Sequence, residues 1–381
     1  MIYLDNAATT PVNPAALQAA WPWLTSEFGN PSSTHELGAR AKDALEDARA
    51  RIADWLGCRV SEITFTSGGT EGNNLAITGL ALAQPRGKHI ISALTEHEAV
   101  LETLDFLERI HGFEISWLPV DLVGNIEPAD LRAKLRADTT LVTLMAANNE
   151  IGTVHPIAEL AQIAHEFGAA FHTDAVQAAG WLDIRVDTSQ VDALTISGHK
   201  LGAPKGSGAV FIRGRLGVEP LLHGGGQEGG RRSGTENVAW AVALATAIDA
   251  LPDLASESAR VSGLRDGFIR AVLQDASMAI PTGHPVDRLP SIASFCFEGL
   301  SGEAILLELE RRNVIVSSGS ACAAGSDEPS HVLTAIGFDA DTARTAVRFS
   351  FSHNTTEEDL SHAANALTEA ILAVGGTGKI A

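Results

Sequence analysis

The sequence predicts an α/β protein, with a mostly parallel central sheet flanked by helices and a smaller α+β domain. Two observations predict this class. Strand-like apolar runs alternate with helix-like periodicity through the first two-thirds of the chain, as strand–helix–strand units require. From about Asp253 the texture changes to long helical stretches between a few strands. The 381 residues suit one large domain with a smaller partner, and 45% hydrophobic against 19% charged residues suits a folded chain. The expected division is 13–252 for the large domain, with 1–12 and 253–381 forming the small one.

The elements follow in order. Ser33-x-x-Glu36 reads as a capping box opening a helix that carries Leu37, Ala41, Leu45, Ala48, Ile52 and Trp55 and closes at Gly57. Residues 63–66 predict a short strand, and Ser67-Gly-Gly-Thr-Glu-Gly72 turns from it into a helix. A strand at 89–94, a helix at 98–110 and strands at 115–120 and 140–146 come next. Pro156 suits the first turn of a helix reaching 167. Strands are expected at 170–174, 193–197 and 209–213. The second domain reads as a helix at 255–273, strands near 291–297, 314–317 and 346–351, and helices at 303–312 and 356–372, the last opened by Thr355-x-x-Glu358.

Composition excludes several roles. A net charge of −20 argues against non-specific nucleic-acid binding and against acidic membrane surfaces. No apolar run reaches the roughly 18 residues a membrane-spanning helix needs. The start of the chain lacks the pattern of a secretory signal. Cys58, Cys296 and Cys322 are far apart with no CxxC pair, so neither a zinc site nor a disulfide framework is expected. His165, His172 and His199 lack metal-ligand spacing, and no metal is assigned. A reducing cytoplasm is the simplest compartment.

In parallel sheets, ligands bind beyond the carboxyl ends of the strands. Asn149, Asp174 and Lys200 all follow strand-like runs, which puts them on one rim. Lys200 ends Ser197-Gly-His-Lys200, where Ser197 and His199 could flank a phosphate; most lysines, by contrast, are solvated surface charges. Gly69 and Thr70 lie in a turn whose backbone N–H groups and hydroxyl could hold that phosphate, or could merely cap a helix. Asp174 could keep a pyridine nitrogen protonated, and Gln177 could donate to the ring's phenolic oxygen. His97, after a strand, could stack on such a ring and move protons, although helix-start histidines are commoner. Arg348, on a strand, could clamp a substrate carboxylate. Cys322 lies in Ser317-Ser-Gly-Ser-Ala-Cys322, among small polar residues unsuited to a core, whereas Cys296 and Cys58 read as small hydrophobes. Together these residues suggest pyridoxal 5'-phosphate working with a cysteine nucleophile.

The same motifs carry a resemblance to a known family. The chain resembles cysteine desulfurases of the NifS/IscS type, class V aminotransferase-like members of the fold-type I group of pyridoxal-phosphate enzymes. The likeness runs from Tyr3-Leu-Asp-Asn-Ala-Ala-Thr-Thr-Pro11 to about Glu358. It includes Phe28-Gly-Asn-Pro-Ser32, Thr95-Glu-His97, Asn148-Asn-Glu-Ile-Gly152, Asp174-Ala-Val-Gln177, Gly224-Gly-Gly-Gln-Glu228, Arg232-Ser-Gly-Thr235 and Arg348-Phe-Ser350.

This resemblance implies Lys200 as the Schiff-base lysine and Cys322 as the persulfide carrier. It implies Gly69, Thr70, Ser197 and His199 around the phosphate, with Thr235 reaching in from a partner subunit. Asn149, Asp174 and Gln177 would hold the ring, His97 would stack on it, and Arg348 with Asn149 would hold the substrate. It also implies a homodimer, L-cysteine as substrate, and a sulfur-acceptor protein such as an iron–sulfur scaffold or another sulfur carrier. The Cys322 segment looks like the long-loop subgroup. Ala323 stands where Thr or Ser is usual, and the chain stops shortly after its last helix, which leaves the acceptor open. A selenocysteine lyase or other related pyridoxal-phosphate lyase is the alternative.

Overall fold

The computed structural model describes residues 1–83, 86–319 and 328–377. The elements of the first two-thirds are β1 (Ile2–Tyr3), α1 (Pro14–Thr25), α2 (Glu36–Leu56), β2 (Ile63–Thr66), α3 (Gly69–Ala83), β3 (His89–Ala93), α4 (Glu98–His111), β4 (Glu114–Leu118), α5 (Pro128–Lys134), β5 (Thr139–Thr143), α6 (Ile157–Glu166), β6 (Ala170–Asp174), α7 (Val186–Ser189), β7 (Ala193–Ser197), β8 (Gly208–Ile212) and α8 (Val238–Asp249). After them come α9 (Leu254–Asp275), β9 (Ala279–Pro281), β10 (Ile292–Phe297), α10 (Gly302–Arg311), β11 (Val314–Ile315), α11 (His331–Ala335), α12 (Ala340–Ala343), β12 (Val347–Ser350) and α13 (Glu357–Thr377).

Seven strands form the central sheet in the order β2-β8-β7-β6-β5-β3-β4. Strands β4, β3, β5, β6 and β7 run parallel, while β8 is antiparallel to both its neighbours. Alternate residues of each strand face opposite sides, and the buried clusters divide accordingly. Ile91, Val142, Leu194 and Phe211 join α1, α2, α5, α6 and α8 in one core. Their neighbours Ile90, Leu141, Ala193 and Val210 join α3 and α4 in another. Helices therefore cover both faces, as the alternating pattern predicts.

A third core gathers Leu4, α9, β10, α10, β12 and α13 around Phe268, Phe295, Phe297, Phe349 and Phe351. The Phe268 and Phe349 rings lie 4.9 Å apart, close enough for a favourable tilted contact. β10 is the middle of a three-stranded antiparallel sheet, and β1 pairs in parallel with β11. Residues at the start of the chain thus add a strand to elements some 300 residues later. No single helix among the described residues is long and apolar enough to cross a membrane.

Several local expectations need correction. The N-cap of α2 is His35, whose ring accepts the Gly38 N–H, while Ser33 belongs to the preceding turn through its N–H to the Asn30 carbonyl. Gly57 does end that helix, at φ 69°, where a side chain would be strained. Pro156 sits one residue earlier than expected, at the N-cap of α6. The capping box of α13 is Thr356 with Asp359, each side chain accepting the other's backbone N–H; Thr355 instead accepts from Ser352 N. Helices α1, α5 and α8 were not legible. Pro22 interrupts the pattern of α1, and α8 is apolar on nearly every side because it is buried, which erases any amphipathic stripe.

A candidate active site at the carboxyl ends of the strands

Chain direction diverges between β3 and β5: β3 leads outward to β4, and β5 leads the other way through β6 to β7. Such a switch point leaves a crevice beyond the strand ends. A cavity of about 370 Å³ opens there, within the range of small-ligand sites. His97 follows β3, Asn149 follows β5, Asp174 ends β6, and Lys200 follows β7; all four line the cavity. Gly69, Thr70, Gln177, Ser197, His199 and Arg348 line it too.

One end suits an anion. Gly69 is the first residue of α3, and a Cβ there would meet Val176 Cγ2 at 2.8 Å, so only bare backbone fits. Thr70 is exposed beside it, and Ser197 is buried at the end of β7. The His199 ring lies 3.2 Å from the Thr9 hydroxyl. Burial, with Lys200 and Lys205 adding to it, pushes its pKa down to about 4, which keeps the ring neutral at neutral pH.

The same cavity carries a carboxylate. Asp174 Oδ2 accepts from Asn73 Nδ2 at 2.6 Å, and Oδ1 accepts from Val176 N at 2.9 Å. With both oxygens held, the group is aimed before any ligand arrives. The Lys200 ammonium donates to the carbonyls of Ala7 and Ala8, so the N-terminal segment helps form the site. Gln177 Nε2 donates to the Ala7 carbonyl at 2.9 Å, so one of its N–H groups is committed to the backbone and one remains for a ring oxygen.

His97 caps α4, its Nδ1 accepting the Ala99 N–H at 3.0 Å. A neutral ring in that position carries its proton on Nε2 and is therefore a donor at that atom. Arg348 is 2% exposed and does face the cleft. Its Nη1 donates to the Asn149 carbonyl and its Nη2 to Asp5 Oδ1, both at 2.9 Å, while buried Nε has no partner among the described residues. One N–H on each terminal nitrogen thus remains for a substrate carboxylate.

The donor set fits pyridoxal phosphate. A glycine-lined helix start with hydroxyls suits its phosphate, a held carboxylate its pyridine nitrogen, and a primary amine its aldehyde carbon.

Thr235 is exposed and does not line this cavity. Cys322 lies outside the described residues, but Gly319, from which the chain continues toward it, lines the cavity. Cys58 packs at the edge of the large core and Cys296 is fully buried; burial pushes both thiols up to about 12, far from the thiolate form. Sequence reasoning missed Asn73, Asp5, Glu150 and His331. Asn73 lies one helical turn beyond Gly69, the one signal that could have found it; the others depend on distant partners.

Comparison with known proteins agrees with this geometry. Residues 2–362 match the family described as aminotransferase class-V. A protein of Dictyoglomus turgidum named cysteine desulfurase IscS is 48% identical over 372 residues, which cover 97% of this chain and 94% of that protein. A solved structure titled NifS-like protein superposes with a TM-score of 0.90 at 34% identity, covering 98% of this chain and 99% of the other. Another, titled SspA in complex with cysteine, has a TM-score of 0.83 at 37% identity, covering 93% and 100% of the two chains.

Proposed function

Because the chain belongs to the class-V aminotransferase family, we propose that it is a pyridoxal-phosphate-dependent cysteine desulfurase. It would convert L-cysteine to L-alanine and carry the sulfur on Cys322 as a persulfide, for delivery to an acceptor protein. The observation that supports this best is the convergence of Lys200, Asp174 and His97 with Gly319 on one cavity. The neighbour solved with cysteine supports the substrate.

In this reading Gly69, Thr70, Ser197 and His199 hold the phosphate, Asp174 the pyridine nitrogen and Gln177 the ring oxygen. The bound cofactor supplies an electron sink conjugated to the substrate's Cα. The remaining steps belong to the chain. Arg348 grips the substrate carboxylate with its uncommitted N–H groups and orients the Cα–H bond. Lys200 Nζ takes the Cα proton. His97, to accept the substrate's thiol proton at Nε2, must first give up its bond to Ala99 N–H; otherwise it donates. The Cys322 thiolate attacks the substrate sulfur, so that an S–S bond forms as the substrate's Cβ–S bond breaks. A proton delivered to Cβ and the return of the Cα proton from Lys200 Nζ complete alanine.

Residues 13–252 would then form the cofactor-holding domain, and 1–12 with 253–381 the domain bearing Arg348 and Cys322. A homodimer would place Thr235 of each copy at the other's phosphate. Lys200→Ala tests the reading: it should abolish the visible absorbance of the lysine-bound cofactor and all alanine release. A variant that keeps both would contradict it.

A further inference from the structure

We propose that Glu150 is a positioning residue for sulfur transfer, holding both ends of the chain segment that carries Cys322. The inference rests on the reading of Cys322 as the group that receives the substrate's sulfur.

Glu150 follows β5 on the rim of the site, lines the cavity and is 3% exposed. Its Oε2 accepts from the Ser330 hydroxyl at 2.5 Å. Ser330 lies just after residues 320–327, where the chain returns to the fold, and it caps α11 by accepting Leu333 N at 3.1 Å. Gly319 lies just before the same residues. A Cβ built on Gly319 would sit 2.9 Å from that same Oε2, so the backbone passes close to the carboxylate and a methyl group there would push it aside. The same oxygen atom thus bonds one flank of the segment and lies beside the other.

The anchor itself is rigid. Asn148 Oδ1 accepts the N–H groups of Glu150 and Ile151 at 2.8 and 2.9 Å, and Asn148 Nδ2 donates to the Thr95 carbonyl at 2.9 Å. His331, next to Ser330, is tied through Nε2 to the Glu96 carbonyl at 2.9 Å. Ser330 is thus tied to the loop following β5, which carries Asn149, and His331 to the loop following β3, which carries His97. The carboxylate therefore sets where the segment leaves and rejoins the fold relative to the substrate. A buried carboxyl is costly unless it is hydrogen-bonded, so its place in the cavity wall calls for such a role. Attack on sulfur needs the two sulfur atoms at near-contact distance, and a misplacement of about 1 Å costs on the order of 100-fold in rate.

The test uses the cofactor-loaded protein in a single turnover of L-cysteine. Free thiols are alkylated at timed intervals, and sulfur on the Cys322 peptide is followed by mass spectrometry. The cofactor's visible response to L-cysteine is recorded in parallel. Glu150→Ala should slow the arrival of sulfur at Cys322 by about 10- to 100-fold, with cofactor loading and the visible response unchanged. Gly319→Ala, whose methyl group would press on the carboxylate, should slow it likewise, which keeps the test open if Glu150→Ala does not fold. Glu150→Gln keeps an acceptor for Ser330 and should stay close to wild type. Wild-type timing in Glu150→Ala or Gly319→Ala would overturn the inference and leave the desulfurase reading standing. So would a proportional loss of the visible response, or a Glu150→Gln defect as large as that of Glu150→Ala. A wild-type protein that never carries sulfur on Cys322 would overturn the reading and the inference together.

Discussion

Replacing Asn73 with leucine should loosen the cofactor while sparing the fold. Asn73 is 1% exposed and its Nδ2 donates to Asp174 Oδ2 at 2.6 Å. A hydrogen bond to a charged group contributes about 1.5–3 kcal/mol. Its other polar atom, Oδ1, is buried without a partner among the described residues, a penalty of about 1–3 kcal/mol already present in the wild type. Leucine, branched alike but larger, removes both at the cost of some overpacking, so unfolding stability should fall by only about 1–3 kcal/mol. The aim of the Asp174 carboxylate has no such compensation. If the lost bond appears in cofactor binding, Kd rises about 10- to 150-fold. The assay is a titration of cofactor-free protein with pyridoxal phosphate, followed by visible absorbance, beside urea unfolding of the same sample. Asn73→Asp adds a sharper variant: two facing carboxyls cannot both ionise, so cofactor binding should weaken and become strongly pH-dependent. Wild-type affinity in Asn73→Leu, with several kcal/mol of lost stability, would refute the reasoning and make Asn73 a residue of the fold alone.

Three other outcomes follow from named contacts. Arg348→Lys keeps the charge but loses the planar fork, and should raise KM for L-cysteine about 10- to 100-fold with a smaller effect on kcat, read from steady-state alanine release. His172 is fully buried between the hydroxyls of Thr143 and Thr195, and burial pushes its pKa from 6.5 down to about 3. Below pH 6.5 the unfolded chain binds a proton that the folded one refuses, so this residue removes up to about 1.4 kcal/mol of stability per pH unit as pH falls; urea midpoints from pH 7 to 5 should drop less steeply in His172→Gln. Arg49 makes two bonds of 2.6 and 2.8 Å to buried Glu228, and Arg49→Ala should cost about 3–5 kcal/mol in urea unfolding, most of it recovered when Glu228→Gln is added.

Strands β2, β6 and β7 were legible to the residue, because short apolar, β-branched runs there end at polar turns. The rim of the site was legible for the same reason: Asp174 and Lys200 stand where those strands stop. Helix α8 was hidden by its own burial, since a helix covered on most sides needs no polar face. The supporting residues were hidden by distance. Asn73 is 101 positions from Asp174, Glu150 is 180 from Ser330, and Asp5 is 343 from Arg348. No local pattern announces such pairs; only the folded sheet brings them together. The same distance explains why Gln177 and Arg348, read as ligand contacts alone, also prove to be ties to the N-terminal segment.

In the proposed reaction sulfur leaves L-cysteine and arrives on Cys322. The most direct measurement gives the cofactor-loaded protein one equivalent of L-cysteine without reductant, then maps every cysteine peptide by mass and counts the amino acid released. The expected result is one added sulfur atom on the Cys322 peptide, none on Cys58 or Cys296, and one alanine per sulfur transferred. Alanine with no sulfur on Cys322, or sulfur on Cys58 or Cys296 instead, would contradict it.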